Sequence, residues 1–221
     1  MLYQLIGSGM PLLEMLAFIL AYMVALMFCF CAHEFSHAYV AYKLGDPTSR
    51  ALGRLTLNPL KHIDPPGFLC LILFGFGWAK PVEVNPLHFK RYKRDMALVS
   101  IAGVTSNLIL AFVFSGIYFF VSPLLVGSTN LFLIFIDLFL YFMVILNLSL
   151  MVFNLLPIYP LDGFNFIKSL TRPNNAFVNF MLKYGTIVLL IFLITPIFDY
   201  VYYYVTNGLL WVFSQFWGLF I

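Results

Sequence analysis

The chain runs from Met15 to Ala32, 18 residues, without an Asp, Glu, Lys or Arg, and then sets His33, Glu34 and His37 together in HEFSH. On a helix, at about 100° per residue, positions i and i+4 lie about 40° apart, one turn up the same face. Both imidazoles can therefore reach one ion of borderline softness, Zn²⁺ before other metals. Glu34, adjacent to the first ligand, is placed to take a proton from water beside the ion rather than to bind the ion. Five-residue matches to this pattern arise by chance in helices. Within a membrane, however, each charged group costs roughly 2.5 kcal/mol or more, so an idle cluster is hard to sustain.

Catalytic zinc takes three protein ligands and leaves a position for water. The candidate third ligand is Asp162, in NLLPIYPLDGF (154–164). Pro157 and Pro160 stop a regular helix there, and proline-broken backbone at membrane depth needs buried partners or a wet cavity. The competing reading of Leu-Asp-Gly is a turn with Asp162 capping the next helix. Cys29, four residues before His33, shares its face and could bind zinc as a thiolate, although a buried cysteine more often acts as a small hydrophobe. His62 and His88 read as solvated loop histidines.

The elements that must position these residues belong to a membrane protein. Of 221 residues, 62% are hydrophobic and 10% charged, with mean hydropathy +0.96, far from the mix of a soluble domain. The first apolar segment lacks the basic n-region and cleavage site of a signal peptide and is expected to stay in the protein. All twelve Lys and Arg residues fall within 43–95 and 168–183. The positive-inside rule puts both blocks in the cytoplasm. A basic cluster could instead meet nucleic acid, but these bases flank membrane segments and the net charge is only +3, so no nucleic-acid partner is expected. The three cysteines form neither a CxxC pair nor a disulfide framework.

This orientation predicts spans at 12–42, 96–121, 131–153 and about 177–198, with the N-terminus and the link 122–130 outside. His33 and His37 lie about 15 and 9 Å of helix rise before Lys43, so they and Asp162 approach similar depths toward the cytoplasmic side. The apolar stretch 67–78 is too short to span and reads as a re-entrant or hairpin element after the first helix. The aromatic tail 200–221 reads as a fifth span or an interfacial helix. The expectation is an all-α integral membrane protein of the cell membrane, a polytopic bundle of four to six transmembrane segments. It would form a single domain, 1–221, with a catalytic core at about 12–165.

HEFSH on an early transmembrane helix, together with NLLPIYPLDG, resembles the site-2 protease family of intramembrane zinc metalloproteases. GRLTLNPLKHIDP (53–65), GWAKPVEVNP (77–86) and SIAGVTSN (100–107) are similar to its compact bacterial and archaeal branch, which carries neither a PDZ nor a CBS domain. The resemblance implies one zinc on His33, His37 and Asp162, Glu34 as the base, and regulated hydrolysis of transmembrane protein substrates within the lipid bilayer. It also implies that 77–86 lies beside the active site and offers a strand edge to an extended substrate. Asn154 matches an asparagine that the family places near the catalytic centre, in a substrate-holding role. Val104 and Tyr159 depart from the family pattern, each standing where proline is common, and bear on local backbone shape. The alternatives are a metal-binding transporter and a catalytically silent scaffold. The first needs polar groups continuing toward the outer face, where 96–121 offers scattered Ser, Thr and Asn107. The second has no use for Glu34.

Overall fold

The computed structural model describes residues 9, 11–67, 70 and 80–221. Its first element, α1 (Leu12–Lys43), follows Pro11 and runs about 48 Å through the apolar stretch and HEFSH. It stops at Gly45, whose φ of +107° suits glycine. Gly45 N–H donates to Tyr42 O and Asp46 N–H to Ala41 O, the paired bonds of a Schellman cap. That cap turns the chain sharply and delivers Asp46, fully buried, beneath the next loop. A single helical turn, α2 (Thr48–Ala51), follows.

The stretch 67–78, expected to form a re-entrant element, lies outside the described residues except for Gly67 and Cys70. The chain then enters α3 (Tyr92–Leu125), turns, and returns through α4 (Leu131–Leu155), whose first turn is capped by Asn130 accepting from Phe132 N–H. A proline-rich break leads to the short α5 (Asp162–Leu170), then to α6 (Ala176–Ile194) and α7 (Pro196–Gly218). Among the described residues, four helices are long and apolar enough to cross a membrane: α1, α3, α4 and α6. The protein is accordingly a polytopic helical membrane protein.

The spans differ from expectation at their ends. Helix α3 carries on past Ser122 to Leu125, with Pro123 inside its last turn, so the link narrows to 126–130. Helix α6 ends at Ile194, because the residue before Pro196 is driven out of the helical region, and Thr195 is extended at φ −84°, ψ 150°. The tail forms α7, which packs Phe213 against α3 and α4 and donates from Trp217 Nε1 to Ser115 Oγ at 3.0 Å.

The core is a three-helix unit of α1, α3 and α4. On α1, Ala21, Ala25 and Cys29 recur every four residues and are fully buried against Phe142, Met143 and Leu146 of α4. Small residues at that spacing let helix backbones approach closely, which is how helices associate when lipid offers no hydrophobic drive. Helix α3 closes the unit, with Val104 and Ala111 packed on Val144, Leu148 and Val152. It runs as regular helix through Val104, so the missing proline leaves no break there. Helix α5 packs on α3 and brings Asp162 back to the start of the chain's fold.

Candidate metal centre

His33 and His37 point from the C-terminal half of α1 into the seam between α1 and α3, both buried. Asp162 opens α5 but does not cap it: no side-chain bond closes that helix N-terminus, and the carboxylate turns to the histidines instead. His33 Nε2 and His37 Nε2 each lie 3.1 Å from Asp162 Oδ2, and 3.1 Å from one another. Three ligand atoms from two ends of the sequence thus form a triangle with near-equal sides.

The outer nitrogen of each ring is engaged. His37 Nδ1 lies 2.7 Å from the Val99 carbonyl oxygen, which can only accept, so that nitrogen donates. His33 Nδ1 lies 2.6 Å from Asn107 Oδ1. With both protons held on Nδ1, each Nε2 presents a lone pair inward, toward a carboxylate that is also an acceptor. Three acceptors 3.1 Å apart repel unless a cation or proton sits among them. Zinc bonds of about 2.0–2.1 Å at tetrahedral angles separate ligand atoms by about 3.3 Å. The donor set and its dimensions fit zinc.

The floor of the site is cleared by Gly103 on α3. A Cβ there would meet His33 Cε1 and His37 Nε2 at 2.5 Å and His33 Nε2 at 2.6 Å, closer than atoms pack. The missing side chain lets the α3 backbone approach both rings.

Glu34, half-buried, sits on the next face of α1 and opens onto the same cavity, of about 600 Å³. Its Oε2 accepts from Val82 N–H at 2.8 Å. Pro81, Val82 and Val84 line the cavity, so the described part of 77–86 does lie beside the candidate site. Residues 80–85 carry no regular strand pairing among the described residues. Asn154 lines the cavity as well, its amide donating to Leu150 O at 3.0 Å.

The segment 80–88 is fastened from below by Asp46. That carboxylate accepts from Thr48 N–H at 3.0 Å, Asn85 N–H at 2.7 Å and His88 Nδ1 at 2.8 Å, and from the Thr48 hydroxyl. Burial alone pushes the Asp46 carboxyl up. The Thr48, Asn85 and His88 donors outweigh burial and leave it below the usual carboxylate range. Ser49, also fully buried, donates to Glu83 O at 2.6 Å and adds a second tie.

Cys29 stands apart from the donor cluster, packed in the α1–α4 core as a small apolar residue. His62 is not solvated: it is 2% exposed, with Nε2 on Thr56 O at 2.9 Å, because the loop folds back over it. His88 does stay partly open, paired with Asp46. Gly103 and Asn107 fall within the SIAGVTSN stretch but carry no assigned role there, and Asn147 lies in none of the motifs. The one signal available was the cost of leaving a carboxamide in an apolar span without a partner.

The family model for peptidase family M50 matches residues 122–193. YwhC of Bacillus subtilis (strain 168), a proposed zinc metalloprotease, is 44% identical over 188 residues, covering 84% of this chain and 85% of YwhC. Rip2 of Mycolicibacterium smegmatis, likewise a proposed zinc metalloprotease, is 31% identical over 190 residues, 79% of this chain and 68% of Rip2. No solved structure matches the chain.

Proposed function

We infer the part played by each residue from one premise: this chain belongs to peptidase family M50, the site-2 proteases, and is an intramembrane zinc metalloprotease. His33, His37 and Asp162 hold the zinc, and the observation that carries this is their triangle of 3.1 Å sides. Bound there, zinc supplies a Lewis acid that polarises a carbonyl and acidifies water.

Glu34 is the general base and then the general acid. Its Oε2 is held by Val82 N–H, which leaves Oε1 to take the proton of the attacking water. The new bond joins the water oxygen to the peptide carbon. The peptide C–N bond breaks, and Glu34 returns the proton to the departing nitrogen. Asn154 faces the same cavity and holds substrate backbone through its carboxamide. A helical substrate must unwind before it reacts, because helical carbonyls are hydrogen-bonded and shielded. The substrate is a transmembrane protein segment entering extended past Pro81–Val84.

The basic blocks support an orientation with the N-terminus outside and the site toward the cytoplasmic side of a cell membrane. The chain is read as one domain whose catalytic core spans about 12–165, with α6 and α7 outside that core. A base facing the donor triangle favours hydrolysis over transport or passive binding.

The test compares the purified wild type with Glu34→Gln on single-span substrates in detergent, with zinc analysis of both. The variant is expected to keep its zinc and to lose cleavage by about 10²–10⁴-fold. Full cleavage by a zinc-loaded Glu34→Gln protein would remove Glu34 from the mechanism.

A further inference from the structure

Asn107 on α3 and Asn147 on α4 are both fully buried, deep in predominantly apolar helices. They form a directed relay. His33 Nδ1 meets Asn107 Oδ1 at 2.6 Å, Asn107 Nδ2 donates to Asn147 Oδ1 at 2.7 Å, and Asn147 Nδ2 donates to Met143 O at 2.6 Å.

The far end of the relay sets its polarity. Met143 O is a backbone carbonyl and can only accept, so Asn147 must present its NH₂ there and its oxygen to Asn107. Asn107 must then answer with its own NH₂, which leaves its oxygen facing the ring of His33. An oxygen in that position accepts a hydrogen bond from Nδ1–H, so the neutral ring carries its proton there and Nε2 is left with its lone pair aimed at Asp162. Reversing either carboxamide would set NH₂ against NH₂ or oxygen against oxygen.

We propose that Asn107 and Asn147 are positioning residues that fix the ring orientation and tautomer of His33, through a polarity originating at Met143 O, so that Nε2 is ready to bind metal. This rests on the zinc reading of the donor triangle. The two histidines then differ in kind. The Nδ1 proton of His37 is held by the Val99 backbone carbonyl, which side-chain substitution does not remove. The Nδ1 proton of His33 depends on two side chains from two other helices. Partners of this kind, bonded to a ligand's outer nitrogen, typically govern metal affinity by 10–100-fold.

The experiment uses the full chain in detergent with two readouts: zinc affinity by chelator competition, and ¹⁵N-histidine spectra of the zinc-free protein resolving the hydrogen-bonded Nδ1 proton of His33. Asn107→Leu is expected to weaken zinc binding about 10–100-fold and to abolish that proton signal. Asn107→Asp, protonated in the buried seam so that its O–H replaces the N–H to Asn147 Oδ1 while its carbonyl oxygen still faces the ring, is expected to restore the signal and bring affinity to within about threefold of wild type. Asn147→Leu leaves Asn107 free to turn and is expected to fall between the two. A space-filling role would not move the His33 signal. The proposal is overturned if folded Asn107→Leu keeps both wild-type affinity and the signal, or if Asn107→Asp loses as much as Asn107→Leu. If Asn107→Leu does not fold, Asn147→Leu with an unchanged signal overturns it equally. A wild-type chain that binds no zinc would sink the metal reading instead, and the proton signal would still decide the relay.

Discussion

His33 and Glu34 are neighbours on α1, yet their side chains are held in different ways. The His33 ring is locked by a buried chain of carboxamides reaching two other helices, and the floor beneath it is the α3 backbone at Gly103. Glu34 is held by one hydrogen bond from Val82, on an extended segment that is itself fastened at a distance through Asp46. Rigid helices thus carry the donor wall, and a loop carries the base wall. The difference matches what each wall must do. Metal donors need fixed geometry within a few tenths of an ångström. Under the proposed mechanism the base wall admits an extended substrate, and a segment with few buried apolar contacts can give way at low cost.

Substitutions on the donor wall are expected to have the largest effects and to act through the metal. Asp162→Ala should bring zinc content to near zero and cleavage below detection, read by elemental analysis and a substrate gel. Gly103→Ala places a Cβ where the rings lie. It should weaken zinc binding about 10–100-fold, in line with the 1–3 kcal/mol typical of overpacking, while helix content by circular dichroism stays unchanged. An alanine at 103 with normal affinity would show the floor to be looser than its distances imply.

The base wall is expected to separate substrate handling from metal binding. Asp46→Ala strips the donors of Thr48, Asn85 and His88 of their acceptor. It should leave zinc unchanged, raise amide exchange at Asn85, and lower kcat/KM about 3–10-fold, a loss of about 1 kcal/mol. A loss of zinc in that variant would mean that the two walls are coupled.

The smallest effect is on pH. The folded-state pKa of Asp46 lies below its unfolded value near 3.9, so the clasp's contribution is complete above about pH 4 and falls away as pH drops through the lowered value. Protection of the Asn85 amide, corrected for intrinsic exchange, should therefore hold constant from pH 7 down to about pH 4 and decline only below it. Loss of protection near pH 6 would contradict the assignment.

Much of the donor wall was legible in the sequence. HEFSH sets two imidazoles on one helical face, and Pro157 and Pro160 mark the break that delivers Asp162 to them. The four spans follow from runs without charge, although their ends moved where prolines and caps decide local geometry. What could not be read was pairing across the bundle. Asn107 and His33 are 74 residues apart, and Asn107 and Asn147 are 40 apart, so neither carboxamide announces its partner. Gly103 reads as a small residue in a span until the rings are seen against it. The polarity of its loop puts His62 in solvent, whereas its burial follows from a backbone fold that polarity does not encode.

The convergence of α1 and α5 on one ion is tested most directly by zinc K-edge absorption spectroscopy on the purified chain, with metal stoichiometry. The account predicts one zinc per chain in a shell of nitrogen and oxygen at about 2.0–2.1 Å, including two imidazoles. A sulfur scatterer at about 2.3 Å would put Cys29 in the place of Asp162, and a site with one imidazole or none would contradict the centre outright.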